Sequence, residues 1–226
     1  MLTLFRKLAV LDRLYEIHDR FTASLPLACR KFCADCCTCN VTLTSLEARK
    51  IVMALDLDAR QKYLKVLTGR LARPRFVPQF TTNQLAEICL ADEDPPAEEI
   101  DPAWGPCPLL FENACPIYDV RPFACRCMVS TRPCRDCGEA EMDDFTLTVN
   151  HVFLQYIEHI DQNGVSGNFS DLLVHLLRQE SPQPDAPAVP LPGVLIPNAP
   201  LKALLIPPEH REKIAPILAA IRAIQA

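Results

Sequence analysis

Five cysteines fall within eleven residues of this chain, Cys29, Cys33, Cys36, Cys37 and Cys39, in the run CRKFCADCCTC. Four more, Cys107, Cys115, Cys125 and Cys127, lie in CPLLFENACPIYDVRPFACRC. Thiols at this density hold a metal, cross-link a small exported scaffold, or serve redox exchange. Soft thiolate donors select zinc, copper(I) or iron-sulfur clusters, and a tetrahedral ion needs four of them. A two-residue gap lets one tight turn aim both sulfurs at one ion, and Cys33–Cys36 and Cys134–Cys137 both have it. Cys36 and Cys37 are adjacent, and adjacent side chains usually diverge. Either one of them is not a ligand or each serves a different metal, which opens the way to a multinuclear site.

Composition narrows these choices. At 226 residues the chain is larger than a disulfide scaffold and can bury a core without cross-links. Its net charge of -5, with no basic run, argues against binding nucleic acid. The opening MLTLFRKLAVLDRLYEIHDRF is interrupted by Asp12, Arg13, Glu16, Asp19 and Arg20, so it reads as neither a signal peptide nor a membrane span. The expected compartment is therefore the reducing cytoplasm, where cysteine clusters more often mean metal or redox chemistry than disulfides. Twenty-one prolines against six glycines favour stiff, irregular connections and disfavour a long central sheet.

The second cysteine stretch carries a pattern with more than thiols in it: Cys107-Pro108-Leu109, Cys115-Pro116-Ile117-Tyr118, Arg121-Pro122 and Cys125-Arg126. Together with the first run it resembles the bacterial and archaeal cysteine-cluster family named for its CxxCxxCC motif, described as a zinc- or iron-chelating domain. The resemblance covers about a hundred residues, Cys29 to Arg126. It departs from the family in the first run, where three residues rather than two separate Cys29 from Cys33. It implies metal binding by Cys29, Cys33, Cys36, Cys37, Cys107, Cys115 and Cys125. Some relatives are described as flagellin lysine methylases, which makes a metal-dependent protein-modifying enzyme the alternative class, although no methyl-donor signature is visible in this chain. Cys39, Cys127, Cys134 and Cys137 lie outside the pattern, and Cys89, standing alone, reads as a small buried apolar residue.

The same thiols admit rival chemistries. Cys33-x-x-Cys36-x-x-Cys39 matches most of a ferredoxin spacing, and Cys107 and Cys115 are each followed by proline, so an iron-sulfur cluster competes with zinc or iron. Cys29-x3-Cys33-x2-Cys36 also matches a radical S-adenosylmethionine triad, but no run of strand-helix units follows it. Arg121 could offset a multi-thiolate charge or simply pair with an acidic neighbour, and Trp104 reads as packing that shields the site. His151, with Gln155 and Glu158, and His175, with Asp171 and Arg178, read as surface histidines, while His18 and His210 have no supporting neighbours in the sequence. Asp92 to Pro102 holds six carboxylates without an EF-hand spacing, so it reads as a solvated acidic loop.

The elements that must position these thiols are mostly helices. Leu4, Leu8, Leu11, Leu14, Ile17 and Phe21 share a face of an amphipathic helix from about Leu2 to Ala23. Thr44 and Glu47 form a capping box before EARKIVMAL, Asp58 suits the cap of the next helix, and a short helix spans Gln84 to Leu90. A strongly periodic helix opens at Asp144 through Val149, Val152, Phe153 and Ile157 to Ile160, closed by Gly164 and Gly167; another starts at Asn168 or Ser170. Nine prolines between Ser181 and Pro208 impose an extended arm, apolar enough to lie on the domain or on a protein partner. A last helix runs through Ile214, Ile217, Ile221 and Ile224, with Pro216 starting or kinking its final part.

The expected fold is therefore mainly α: one helical domain, 1–180, around an irregular cysteine core at 29–39 and 107–127 stapled by metal. The extended arm at 181–208 and a C-terminal helix at 209–226 follow. The expected function is binding of zinc or iron, with an iron-sulfur cluster as the alternative, no nucleic acid or membrane partner, and the arm as the surface for a protein partner.

Overall fold

The computed structural model describes residues 2–30, 32–180 and 193–224. It is mainly helical with one small sheet. The longest helices are α1 (Leu4–Thr22) and α7 (Asp144–Ile160); between them lie α2 (Ser45–Ala54), α3 (Leu57–Arg70), α4 (Thr82–Leu90) and the single turns α5 (Phe123–Arg126) and α6 (Cys134–Cys137). After α7 come α8 (Phe169–Gln179) and α9 (Arg211–Arg222). No helix among the described residues is long and apolar enough to cross a membrane.

Two apolar cores organise these helices. In the first, Leu11, Leu14 and Ile17 of α1 meet Val149, Val152, Phe153 and Ile157 of α7, with Ile214 and Ile221 of α9 closing the group. In the second, Ile51 and Val52 of α2 and Leu67 of α3 pack on Leu172, Leu173 and Leu176 of α8. The second cysteine stretch bridges the two cores, since Leu109 and Ile117 sink into the second and Phe123 into the first. Full burial of such side chains contributes roughly 1.5–3 kcal/mol each. These apolar residues beside the cysteines have a plain physical role: they pin the turns that carry Cys107, Cys115 and Cys125 to the folded body.

Capping follows side-chain chemistry. The Thr44 and Glu47 box forms as expected, and a second box, Thr81 with Gln84, starts α4. The cap of α3 is Asp56, whose carboxylate accepts the Ala59 N–H at 2.7 Å, and not Asp58, which lies inside the first turn. Asp143 caps α7 and Asn168 caps α8. Pro216 sits inside a continuous α9 rather than breaking it.

Asp161, not a glycine, ends α7, and Gly164 and Gly167 act further along the chain. They flank and occupy β2 (Val165–Asn168), the centre of an antiparallel sheet with β1 (Thr42–Thr44) and β3 (Ile196–Pro197). The register pairs Leu43 with Gly167 and Ser166 with Ile196. A Cβ on Gly167 would stand 2.4 Å from Leu195 Cδ2, so glycine lets the arm close onto the sheet.

The described part of the arm, from residue 193, runs along α7 on polar bonds. Gln155 donates to Ala203 O (2.8 Å) and accepts from Leu205 N (3.0 Å), and Glu158 accepts Ala199 N (2.7 Å) and Asn83 N (2.8 Å). Gln155 and Glu158 are therefore buried, not on an open polar face, because backbone groups of the arm take them as partners. The apolar Val189 and Leu191 lie outside the described residues.

Candidate metal centre

The two cysteine stretches, seventy residues apart in the chain, are hydrogen-bonded to each other. Cys107 N donates to Cys37 O at 2.8 Å, Cys39 N donates to Gly105 O at 3.0 Å, and Thr38 bridges Pro106 between them. Gly105 holds φ +123°, a conformation glycine reaches readily, which lets Trp104 and Pro106 turn into this pairing. Beyond it the chain reverses at Glu112 and Asn113, both with positive φ, in a tight hairpin closed by Phe111 and Ala114. That hairpin returns Cys115 beside Cys107.

Local turns then bring amides near sulfur. Pro108 and Pro116 follow Cys107 and Cys115 with φ fixed by their rings. The backbone amides of Leu109 and Leu110 lower the Cys107 thiol and that of Ile117 lowers the Cys115 thiol, while Leu110 N donates to Cys107 O at 3.0 Å. Amide donors of this kind favour the thiolate and orient it. Burial works against them, and it dominates: Cys107, Cys115 and Cys125 are all pushed above the usual thiol range. Without a cation these three remain protonated.

Cys37 is the exception. The Cys36 S–H donates to its sulfur, which pulls Cys37 down and pushes Cys36 up, while Cys125, Cys107 and Cys115 stand close enough to act on Cys37 through their charge. Cys37, Cys107, Cys115 and Cys125 are thus a set within electrostatic reach of one another. Cys36 stands at its border, within the field of Cys125 and also of Cys29 and Cys134. Cys29 and Cys33 lie away from the first group: Cys29 is exposed, accepts Ser130 N at 3.3 Å, and has Cys36, Cys33 and Cys134 as its thiol neighbours.

All twelve cysteines are free thiols, and among the described residues no group of three or more histidine, cysteine or acidic side chains is placed to hold a metal ion. The donor chemistry nevertheless fits a thiophilic cation. Four soft donors lie within electrostatic reach of one another, and burial penalises ionisation of Cys107, Cys115 and Cys125 without a counter-charge.

The remaining cysteines have other partners. Cys39 is buried against the Arg70 guanidinium (Nη2 to sulfur 2.8 Å), which also donates to Pro74 O and Trp104 O. Cys127 is buried at the end of α5, its thiol pushed up to about 12 by burial. Cys89 is exposed at the end of α4, because only one face of that short helix meets α7.

Arg121 takes the first of the two roles open to it in the sequence, acting on thiol charge rather than pairing with an acidic neighbour. Its guanidinium stacks 3.7 Å from the Tyr118 ring and donates to Tyr118 O, and its charge lowers Cys115 through space. Trp104 is half-buried and serves Arg70 through its carbonyl.

Two histidines depart from their sequence reading. His18 is fully buried, bonded to Asn150 (2.9 Å) and set edge-on to Phe123 and Phe153. His175 is buried on α8 and bonded to Gln179, since nearly the whole circumference of that helix is covered. His151 is exposed, and His210 bonds Thr148 at 2.8 Å.

Sequence reasoning missed Glu47 as a positioning residue. Its Oε1 accepts the Tyr15 hydroxyl (2.9 Å) and the Phe123 N–H (2.7 Å), and its Oε2 accepts Thr44 N and Oγ1. One carboxylate therefore ties α1, α2 and the turn carrying Cys125 together. Glu47 was visible only as the end of a capping box.

No family model matches the chain, and neither a curated protein nor a solved structure is detectably similar to it.

Proposed function

We propose that this is a cysteine-cluster metal-binding protein of the CxxCxxCC kind, and that Cys37, Cys107, Cys115 and Cys125 hold a thiophilic ion, zinc or iron, that fastens the irregular segments between the helices. The observation that supports this reading is the direct backbone pairing of the two distant cysteine stretches, Cys107 N to Cys37 O at 2.8 Å and Cys39 N to Gly105 O at 3.0 Å. Four such thiols left protonated make poor use of buried space. Replacing their protons by one divalent cation satisfies all four. Structural zinc in small domains contributes on the order of 10–16 kcal/mol of apparent binding energy, far more than any single apolar anchor in the same segment.

The reading extends to compartment and role. A reducing cytoplasm keeps such thiols available for metal. The ion's work is structural, since it would hold residues 36–39 and 105–126 in register between the two cores.

Anaerobic purification followed by elemental analysis and an absorption spectrum tests this directly. Zinc gives a colourless protein with stoichiometric metal; iron or a cluster gives a brown one with charge-transfer bands. Protein that emerges metal-free and takes up neither zinc nor ferrous iron overturns the proposal.

A further inference from the structure

A half-open cavity of about 200 Å³, lined by no cysteine, is enclosed by β1, the start of α4, the middle of α7 and the segment 76–80. Its apolar wall includes buried Leu43 and Ile157 with half-buried Phe76 and Phe80. A cavity of roughly 150 Å³ holds one benzene ring, so this one has room for a single ring with a short side chain. Two bonds fix its rim. Phe76 N donates to Asn40 Oδ1 at 3.0 Å, and Gln79 N donates to Glu98 Oε1 at 2.6 Å, which ties the acidic loop to the cavity edge.

The charge around this cavity has one sign. Glu47, Glu98 and Glu158 line it, and no lysine, arginine or histidine does. Among the described residues no ion pair neutralises any of the three. Glu47 and Glu158 are each only 3% exposed and are held by neutral donors alone: Tyr15, Phe123 and Thr44 on Glu47, Asn83 N and Ala199 N on Glu158. Burial raises both carboxyls, as it must where an anion lacks a counter-charge. These carboxylates do not converge, since no group of three or more such residues is placed to hold a metal ion. A bare ion therefore finds no cage here. A positive charge carried on an apolar body matches both the wall and the field.

We propose that this cavity binds a small organic ammonium ion, a primary amine on a short apolar body, with Glu98 as the carboxylate that meets the charge. Glu98 is half-buried at the rim and spends one oxygen on Gln79 N, leaving the other for the ligand. Glu47 and Glu158 act through charge across the cavity, because protein donors already occupy their oxygens. Phe76 and Phe80 cover the apolar body, and an aromatic face also attracts a nearby cation. The Thr42 and Thr82 hydroxyls line the same space and offer neutral acceptors for the remaining ammonium protons.

Selectivity follows from the same groups. A neutral molecule of equal shape keeps the apolar contacts and loses the attraction to three carboxylates; an anion of equal shape is repelled by all three. The site stands apart from the metal-binding reading, since it shares no residue with the cysteine stretches and needs no ion to form.

The test is calorimetric titration of the full chain at neutral pH with phenethylamine, phenethyl alcohol and hydrocinnamate, which share a ring and a two-carbon spacer and differ in charge. The expected result is saturable one-to-one binding of the amine, binding of the alcohol weaker by about tenfold, and none of the carboxylate. In methyl-labelled protein the amine should shift Leu85 and Leu154, which line the cavity, and leave Leu11 and Leu67 in place. Glu98→Gln keeps an oxygen for Gln79 N and should weaken the amine about fivefold without changing the alcohol. Glu99→Gln, exposed on the same loop and outside the lining, is the control and should change neither. Failure of the amine to saturate, or an alcohol that binds as tightly, overturns the proposal. So do shifts confined to other leucines. Equal weakening by Glu98→Gln and Glu99→Gln reduces the effect to the general charge of the loop and overturns the site as well.

Discussion

The Phe123 N–H donates to Glu47 Oε1 at 2.7 Å, joining the first turn of α2 to the short helix that carries Cys125. Three further donors, the Tyr15 hydroxyl and the Thr44 amide and hydroxyl, converge on the same buried carboxylate. Glu47→Ala orphans all of them, and at about 1–3 kcal/mol for each buried group left unpaired the total is expected to reach roughly 3 kcal/mol or more. Urea titration should show the lowered midpoint, together with weakened zinc retention because the Cys125 turn loses its anchor. An unchanged midpoint would show that Glu47 is no more than a helix cap.

Removing the proposed ion, or a cysteine of the paired stretches, should act regionally. Cys36→Ala and Cys125→Ala, or a strong chelator on the wild type, are expected to raise amide exchange in residues 29–39 and 105–127. Helix α7 should stay protected, since Val149, Val152 and Phe153 are buried by α1 and the rest of its core independently of the thiols. Full metal content and unchanged melting in both variants would refute the staple.

What could be read from the sequence divides along physical lines. The long helices were legible because their apolar residues recur at one period over many turns, as from Val149 to Ile157 in α7. The sheet was not, because strands of two to four residues hold no period, and β2 contains Gly167 for close approach rather than for packing. In the candidate centre, Cys107, Cys115 and Cys125 were marked by the residues around them, of which Ile117 proves to be a core anchor while Tyr118 stays exposed. The bond from Ser130 N to the Cys29 sulfur, 101 residues away, carried no such mark, because it leaves nothing in local spacing. His18 was equally silent, since a histidine on an amphipathic helix does not announce which face it joins.

Gly164 is expected to be intolerant of any side chain. A Cβ there would lie 2.2 Å from Ser45 Oγ and 2.3 Å from Asp161 Oδ2. Those two atoms are bonded to each other, and Asp161 also accepts Leu46 N and Asn198 Nδ2, so the clash falls on the junction of α2, α7 and the arm. Gly164→Ala should cost about 1–3 kcal/mol as an overpacking substitution, read as a lowered thermal midpoint. Gly69→Ala, where a Cβ meets nothing within 4 Å, is the control and should leave stability unchanged or raise it slightly.

His18 gives the fold a pH dependence whose sign is fixed by its surroundings. Burial among Phe21, Phe123 and Phe153 lowers its pKa below the usual imidazole range, against the raising influence of the Asn150 hydrogen bond and of Asp19; Arg126 and Arg121 add to the lowering. The folded state therefore keeps His18 neutral, while the unfolded chain takes a proton near pH 6.5. Stability from this group is fully present above about pH 6.5 and is lost as pH falls through the lower folded value, at up to about 1.4 kcal/mol per pH unit. Glu47 and Glu158 act in the opposite sense. Burial raises both, so their contribution is present below the ordinary carboxylate range and lost as pH rises through their folded values. The comparison of wild type with His18→Gln separates these effects, since glutamine keeps a partner for Asn150 but binds no proton. The difference in unfolding free energy between the two proteins should shrink as pH falls from 7 towards 5. A difference that stays constant across that interval would mean that His18 does not remain neutral in the fold.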